Sequence, residues 1–180
     1  MPNFKRVFKE NSIVFLTVVT YKRKNYLINN YKILHQAFNF AKEKYPYSML
    51  GYVIMQEHFH ILIKPKNIKD YPNIIKSIKI YFTKTVGRVK TRQIEVSRGM
   101  RNKGESGIWQ SKYYEHTIRD IKDFYTKLEY IHYNPVKHKI VKNVFEYPYS
   151  SFLQYVKIGF YDIEWGCFED VGYLDRFDFE

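Results

Sequence analysis

Two short stretches carry side chains able to do chemistry. In MQEHFHILIKP, residues 55–65, His58 and His60 stand two positions apart. Successive side chains of a strand point to opposite faces, so both imidazoles share a face with Leu62 and Lys64. Phe59, Ile61 and Ile63 take the other face, and that set is what a core needs. Two imidazoles on one face can hold a metal ion, or they can be half-exposed strand histidines; the strand alone fits both readings. In EYIHYNPVKHKIV, residues 129–141, Tyr130 and Asn134 are four apart and lie on one face of a helix. A hydroxyl and an amide oxygen then project together, unless Tyr130 is one more core tyrosine among 18.

These residues need elements to position them. Residues 12–21, SIVFLTVVTY, are β-branched and aromatic and predict a strand. A helix follows, with Ile33, Leu34, Ala37, Phe38 and Ala41 at helical spacing, Asn29 or Asn30 as its cap and Pro46 beyond its end. Residues 48–56 and 58–65 read as two strands with almost nothing between them. Pro72 opens a second helix along Ile74, Ile75, Ile78, Tyr81 and Phe82, and Gly87 is expected to stop it. Residues 88–107 are basic, bear glycines and lack large apolar side chains, which suggests an exposed loop or hairpin. A fourth strand is expected within 108–119. Asp120 then caps a third long helix, through about Tyr133, which Pro135 ends.

That order predicts an α+β fold of the ferredoxin-like, split βαβ kind: an antiparallel four-stranded sheet with two packing helices, plus an added helix carrying Tyr130. The histidines would face away from the two packing helices, and the added helix would cover part of their face. A domain over 1–155 and an acidic extension over 156–180 are expected.

Charge narrows the partners. The chain of 180 residues carries a net charge of +12, and residues 161–180 hold seven acids against one base. The first 160 residues thus carry 29 bases and 11 acids, a net of +18. Such a body reads as a polyanion binder, and aromatics interleaved with lysines suit stacking on unpaired bases. Arg88, Lys90, Arg92, Arg98, Arg101 and Lys103 of the basic segment, with His116 and Arg119 of the fourth strand, are the candidate contacts to such a polyanion. The acidic tail can either compete for the cationic groove or dock on the body through Trp165, Phe168 and Phe177. The lone cysteine, Cys167, excludes an internal disulfide or a cysteine metal site and fits a reducing cytoplasm. No apolar run reaches the roughly 18 residues of a membrane span, and the first residues lack the apolar stretch of a signal peptide.

In combination, MQEHFHILIKP, IWQSKYYEHTIRD, EYIHYNPVKHKIV and YPYSSF make the chain resemble the single-tyrosine HUH transposases of insertion sequences, and specifically the REP-associated tyrosine transposases. The Trp-Gln and Tyr-Ile-x-x-Asn-Pro-Val elements make the match specific. The resemblance runs in the family's order over about residues 12–152. It implies a DNA endonuclease and strand transferase acting on single-stranded or hairpin DNA, as monomer or homodimer, without a membrane. It implies that His58 and His60 hold a divalent metal, magnesium or manganese, that Asn134 can complete that site, and that Tyr130 attacks a phosphodiester to leave a 5′-phosphotyrosine. Tyr133 is the runner-up nucleophile. Glu57 is expected to point away from the pair, and His132 and His138 to lie on the surface. Two rivals remain in view: a replication or conjugation initiator using the same chemistry, and a non-catalytic single-strand binder.

Overall fold

The computed structural model describes residues 10–89, 107–166 and 171–179. Strands β1 (Val14–Val19), β2 (Tyr47–Ile54), β3 (His58–Pro65) and β4 (Tyr114–Thr117) form one antiparallel sheet in the order β2-β3-β1-β4. The helices are α1 (Tyr31–Lys44), α2 (Tyr71–Val89), α3 (Ile121–Lys137) and the short α4 (Phe152–Lys157). This is the ferredoxin-like arrangement that the element order predicts. No helix among the described residues is long and apolar enough to cross a membrane.

Alternation along the central strands sends two different side-chain sets to the two faces. Val14, Leu16 and Val18 of β1 and Phe59, Ile61 and Ile63 of β3 meet Leu34, Ala37 and Phe38 of α1 and Ile74, Ile78 and Phe82 of α2 in the largest buried cluster. Trp109 joins it, with its ring centroid 5.2 Å from Phe82 and 5.9 Å from Phe59. Each buried side chain of this kind contributes roughly 1.5–3 kcal/mol. Phe15, Val53 and Leu62 on the opposite face meet Leu128, Tyr130 and Ile131 of α3. The helix comes so close to β2 that a Cβ added at Gly51 would lie 2.7 Å from Leu128 Cδ1. A third cluster joins Tyr133 and Val136 of α3 to Phe152, Tyr161, Val171 and Leu174, so the C-terminal segment docks on the body.

Several local expectations are corrected. Helix α2 runs past Gly87 to Val89, since a glycine with no Cβ contact within 4 Å only weakens a helix whose other face is buried. Helix α3 likewise runs through Pro135 to Lys137. The proline removes one N–H, but His138 N–H donates to the Asn134 carbonyl and closes the turn. Asn30 precedes α1, but its side-chain amide donates to the Tyr26 carbonyl and makes no cap bond. Asp120 does cap α3, accepting from Asp123 N–H at 2.8 Å.

Candidate active site

The two histidines stand on a central strand, each opposite a residue of β1: His60 pairs with Thr17 and His58 with Val19. Both are fully buried. His60 Nδ1 lies 2.8 Å from Thr17 Oγ1, whose hydroxyl donates to the Phe179 carbonyl at 2.6 Å. That direction makes Nδ1 the donor to Thr17 and leaves Nε2 as an acceptor, which Asn134 Nδ2 meets at 3.2 Å. His58 Nδ1 lies 3.2 Å from the Glu57 carboxylate, and its Nε2 faces Asn134 Oδ1 at 3.3 Å. Both Nε2 atoms therefore converge on one amide, with each Nδ1 anchored from behind.

Two imidazole nitrogens and an amide oxygen can hold a divalent cation whose other positions are completed by oxygens. Anchoring of Nδ1 by a carboxylate or hydroxyl is how metal-bound imidazoles are held. Adjacent ligands of an octahedral ion bound at about 2.1 Å sit about 3 Å apart, close to the 3.3 Å between His58 Nε2 and Asn134 Oδ1. Among the described residues no three His, Cys, Asp or Glu side chains are grouped so as to hold a metal ion, so two imidazoles and an amide oxygen would leave coordination positions for substrate and water.

Glu57 corrects the expectation that it points away. Strand β3 begins at His58, so Glu57 sits in the preceding turn and is not bound by strand alternation. The hydrogen bond with His58, with help from Arg23 at 3.5 Å, holds its carboxyl below the ordinary range.

Tyr130 is fully buried, with its ring 5.3 Å from His60 and edge-on to it. Lys137 Nζ donates to Tyr130 Oη at 3.4 Å and also to the Phe177 carbonyl. The Phe179 ring lies 4.8 Å from the Tyr130 ring, so the end of the chain covers this tyrosine. Tyr133 turns elsewhere, into the cluster with Val136, Val144 and Phe152, where burial, with Asp175 nearby, raises its hydroxyl to about 12. His132, expected at the surface, is fully buried between Ser151 Oγ at 2.7 Å and Tyr161 Oη at 3.3 Å, and burial lowers it to about 3. His138 is exposed as expected, but its ring lies 5.4 Å from that of His58, at the rim of the site.

His116 and Arg119 share one partner. Asp123 Oδ2 lies 2.7 Å from His116 Nε2 and 3.2 Å from Arg119 Nε. Burial opposes ionisation, but these hydrogen bonds win and hold the Asp123 carboxyl at about 2. Lys90, Arg92, Arg98, Arg101 and Lys103 lie outside the described residues, and Arg88 is described only as backbone in the last turn of α2.

Thr17, Lys127, Lys137 and Phe179 belong to the site and were missed from sequence. One signal was available for the lysines. Asp123, Lys127, Tyr130, Asn134 and Lys137 recur at alternating spacings of four and three, a polar stripe where an amphipathic helix would place its apolar seam.

Comparison with known proteins supports the fold and shows the family. The family model described as "Transposase IS200 like" matches residues 9–134. A Haemophilus influenzae protein assigned as a REP-associated tyrosine transposase is 38% identical over 168 residues, 92% of this chain and 94% of that protein. The REP-associated tyrosine transposase of Escherichia coli is 31% identical over 167 residues, covering 92% and 91%. A solved structure of a REP-associated tyrosine transposase bound to a REP hairpin superposes with a TM-score of 0.75 at 29% identity, covering 92% of this chain and 91% of that one.

Proposed function

Given that the chain belongs to the IS200-like transposases, within the REP-associated tyrosine group, we propose that it cleaves and rejoins single-stranded DNA at hairpin-forming repeats through Tyr130. The observation that carries this reading is the convergence of His58 Nε2 and His60 Nε2 on Asn134, with the Tyr130 ring against His60. The hairpin substrate is inferred from the solved relative, which holds a REP hairpin.

Tyr130 Oη attacks phosphorus, the P–O3′ bond breaks, and the phenolic proton passes to the departing 3′-oxygen directly or through solvent. The products are a 5′-phosphotyrosine and a free 3′-hydroxyl. One phosphoester replaces another, so a second 3′-hydroxyl can reverse the step without ATP. Lys137 Nζ, which donates to Oη, is placed to offset negative charge that develops on that oxygen during attack. His58 Nε2, His60 Nε2 and Asn134 Oδ1 would hold a divalent ion, magnesium or manganese, whose charge would polarise the scissile phosphate. Because Phe179 covers Tyr130, productive binding also requires residues 177–179 to leave.

The test is a hairpin-bearing single-stranded oligonucleotide incubated with the chain and manganese. A denaturant-resistant adduct should form, and peptide mass spectrometry should place it on Tyr130. An adduct on Tyr133, or one that survives Tyr130→Phe, would overturn the assignment.

A further inference from the structure

Every member of the polar stripe on α3 but one has a hydrogen-bond partner among the described residues. Asp123 holds His116 and Arg119, Tyr130 accepts from Lys137, Asn134 bridges the histidines, and Lys137 also donates to the Phe177 carbonyl. Lys127 is the exception. The residue is 4% exposed, and its ammonium, which keeps some solvent contact, makes no hydrogen bond among the described residues. It lies against two ring faces, with the Phe179 centroid at 3.0 Å and the Phe15 centroid at 5.4 Å, and the Asp123 carboxylate acts on it only through space, its Oδ2 being taken by His116 and Arg119.

An ammonium held largely away from water without an acceptor is costly, and two aromatic faces offset only part of that. Burial lowers its pKa to about 8, so it remains mostly charged at neutral pH. A methionine would fill the same space at less cost. With Asp123 taken by His116 and Arg119, the cation suits a hydrogen-bonding anion that the described residues do not supply.

Its surroundings say which anion. Phe15, the second ring under Lys127, stacks on His60 at 5.5 Å with an interplanar angle of 19°, so Lys127 lies just beyond the histidine pair. The tail segment over the site places its carbonyl oxygens on two donors, Thr17 Oγ1 and Lys137 Nζ, and leaves the third, Lys127, facing a ring. A DNA backbone in that place would present phosphate oxygens to all three.

We propose that Lys127 binds a DNA backbone phosphate next to the scissile one, and that the Phe179 ring occupies this phosphate subsite in the free protein. The inference rests on the single-strand reading above but not on cleavage, so it is tested by binding in the presence of a chelator.

Wild type, Lys127→Met and Lys127→Arg, each with and without Phe179→Ala, are titrated with a hairpin-bearing single strand over a salt series. Lys127→Met should reduce the log–log salt slope by about 0.7, the share of one phosphate on a single strand, and Lys127→Arg should restore it. In a scan of single methylphosphonates, one position should cost wild type roughly tenfold in affinity and Lys127→Met nothing, the coupling expected of a charged hydrogen bond. A measurement that needs no charge-removing variant is acetylation of Lys127 in the Phe179→Ala chain, which DNA should slow unless that same phosphate is neutral. An unchanged slope and equal methylphosphonate costs in Lys127→Met, or acetylation that DNA does not slow, would overturn the proposal and leave Lys127 as an anchor for the tail. Loss of cleavage or adduct with these binding results intact would instead refute the catalytic reading alone.

Discussion

The two faces of one sheet differ in kind. The face under α1 and α2 is filled by Leu, Ile, Val and Phe, with no chemistry-bearing group from β1 or β3. The face under α3 buries two histidines, an asparagine, a threonine and a lysine alongside Phe15, Leu62 and Leu128. Apolar burial is non-directional and tolerant, so the first face can be rebuilt from many side chains of similar volume. The second depends on directional hydrogen bonds between groups that are each costly to bury alone. One face stabilises the fold; the other uses that stability to hold reactive groups in place.

The sharpest way to break this comparison is to change neighbours on β3 that point to opposite faces. His60→Ala should lower cleavage of hairpin-bearing single-stranded DNA by at least about a thousandfold, as expected for loss of a metal ligand, with little change in melting temperature. Phe59→Ala, one residue away, should cost roughly 3–5 kcal/mol in urea denaturation through the cavity it leaves under Phe38 and Trp109. Equal stability losses in the two variants would erase the distinction.

Asp123 tests whether the polar face also carries stability. Its folded pKa of about 2 lies below the ordinary 3.8, so its contribution is complete above about pH 4 and is lost as pH falls through about 2. Asp123→Asn should therefore lower stability by about 2 kcal/mol at neutral pH. The gap from wild type should close in acid; a gap that stays constant down to pH 2 would refute the account.

Glu57→Gln sharpens the comparison from behind the site. It keeps the shape but loses the charge that anchors His58, so manganese affinity and cleavage should drop about tenfold, at the low end for such supporting groups. Titration calorimetry with manganese checks this, and unchanged affinity would show that Glu57 only packs.

The smallest effect is expected at the tail. Deleting residues 177–180 removes the rings over Tyr130 but leaves Val171 and Leu174 buried against α3. DNA affinity should then rise a few-fold, most at low salt where screening is weakest, while melting temperature falls little. Lower stability with no gain in affinity would make the tail a structural strap.

The chain's local periods determined much of this unaided. Alternation put His58 and His60 together and opposite Phe59 and Ile61, and spacing of four aligned Tyr130 with Asn134, because period 2 and period 3.6 are properties of the backbone itself. Breakers were less legible: Gly87 and Pro135 cost local free energy that burial of the rest of the helix outweighs. Trp109 and the buried His132 show that a distinctive residue can be core as readily as site. Only the tertiary structure decided what meets the histidine face. Thr17 and His60 are 43 residues apart in the chain, and the Phe179 carbonyl that Thr17 holds is 162 residues away. A period says which way a side chain points, but the group that arrives to cover it comes from a distant segment, and long-range packing alone selects it.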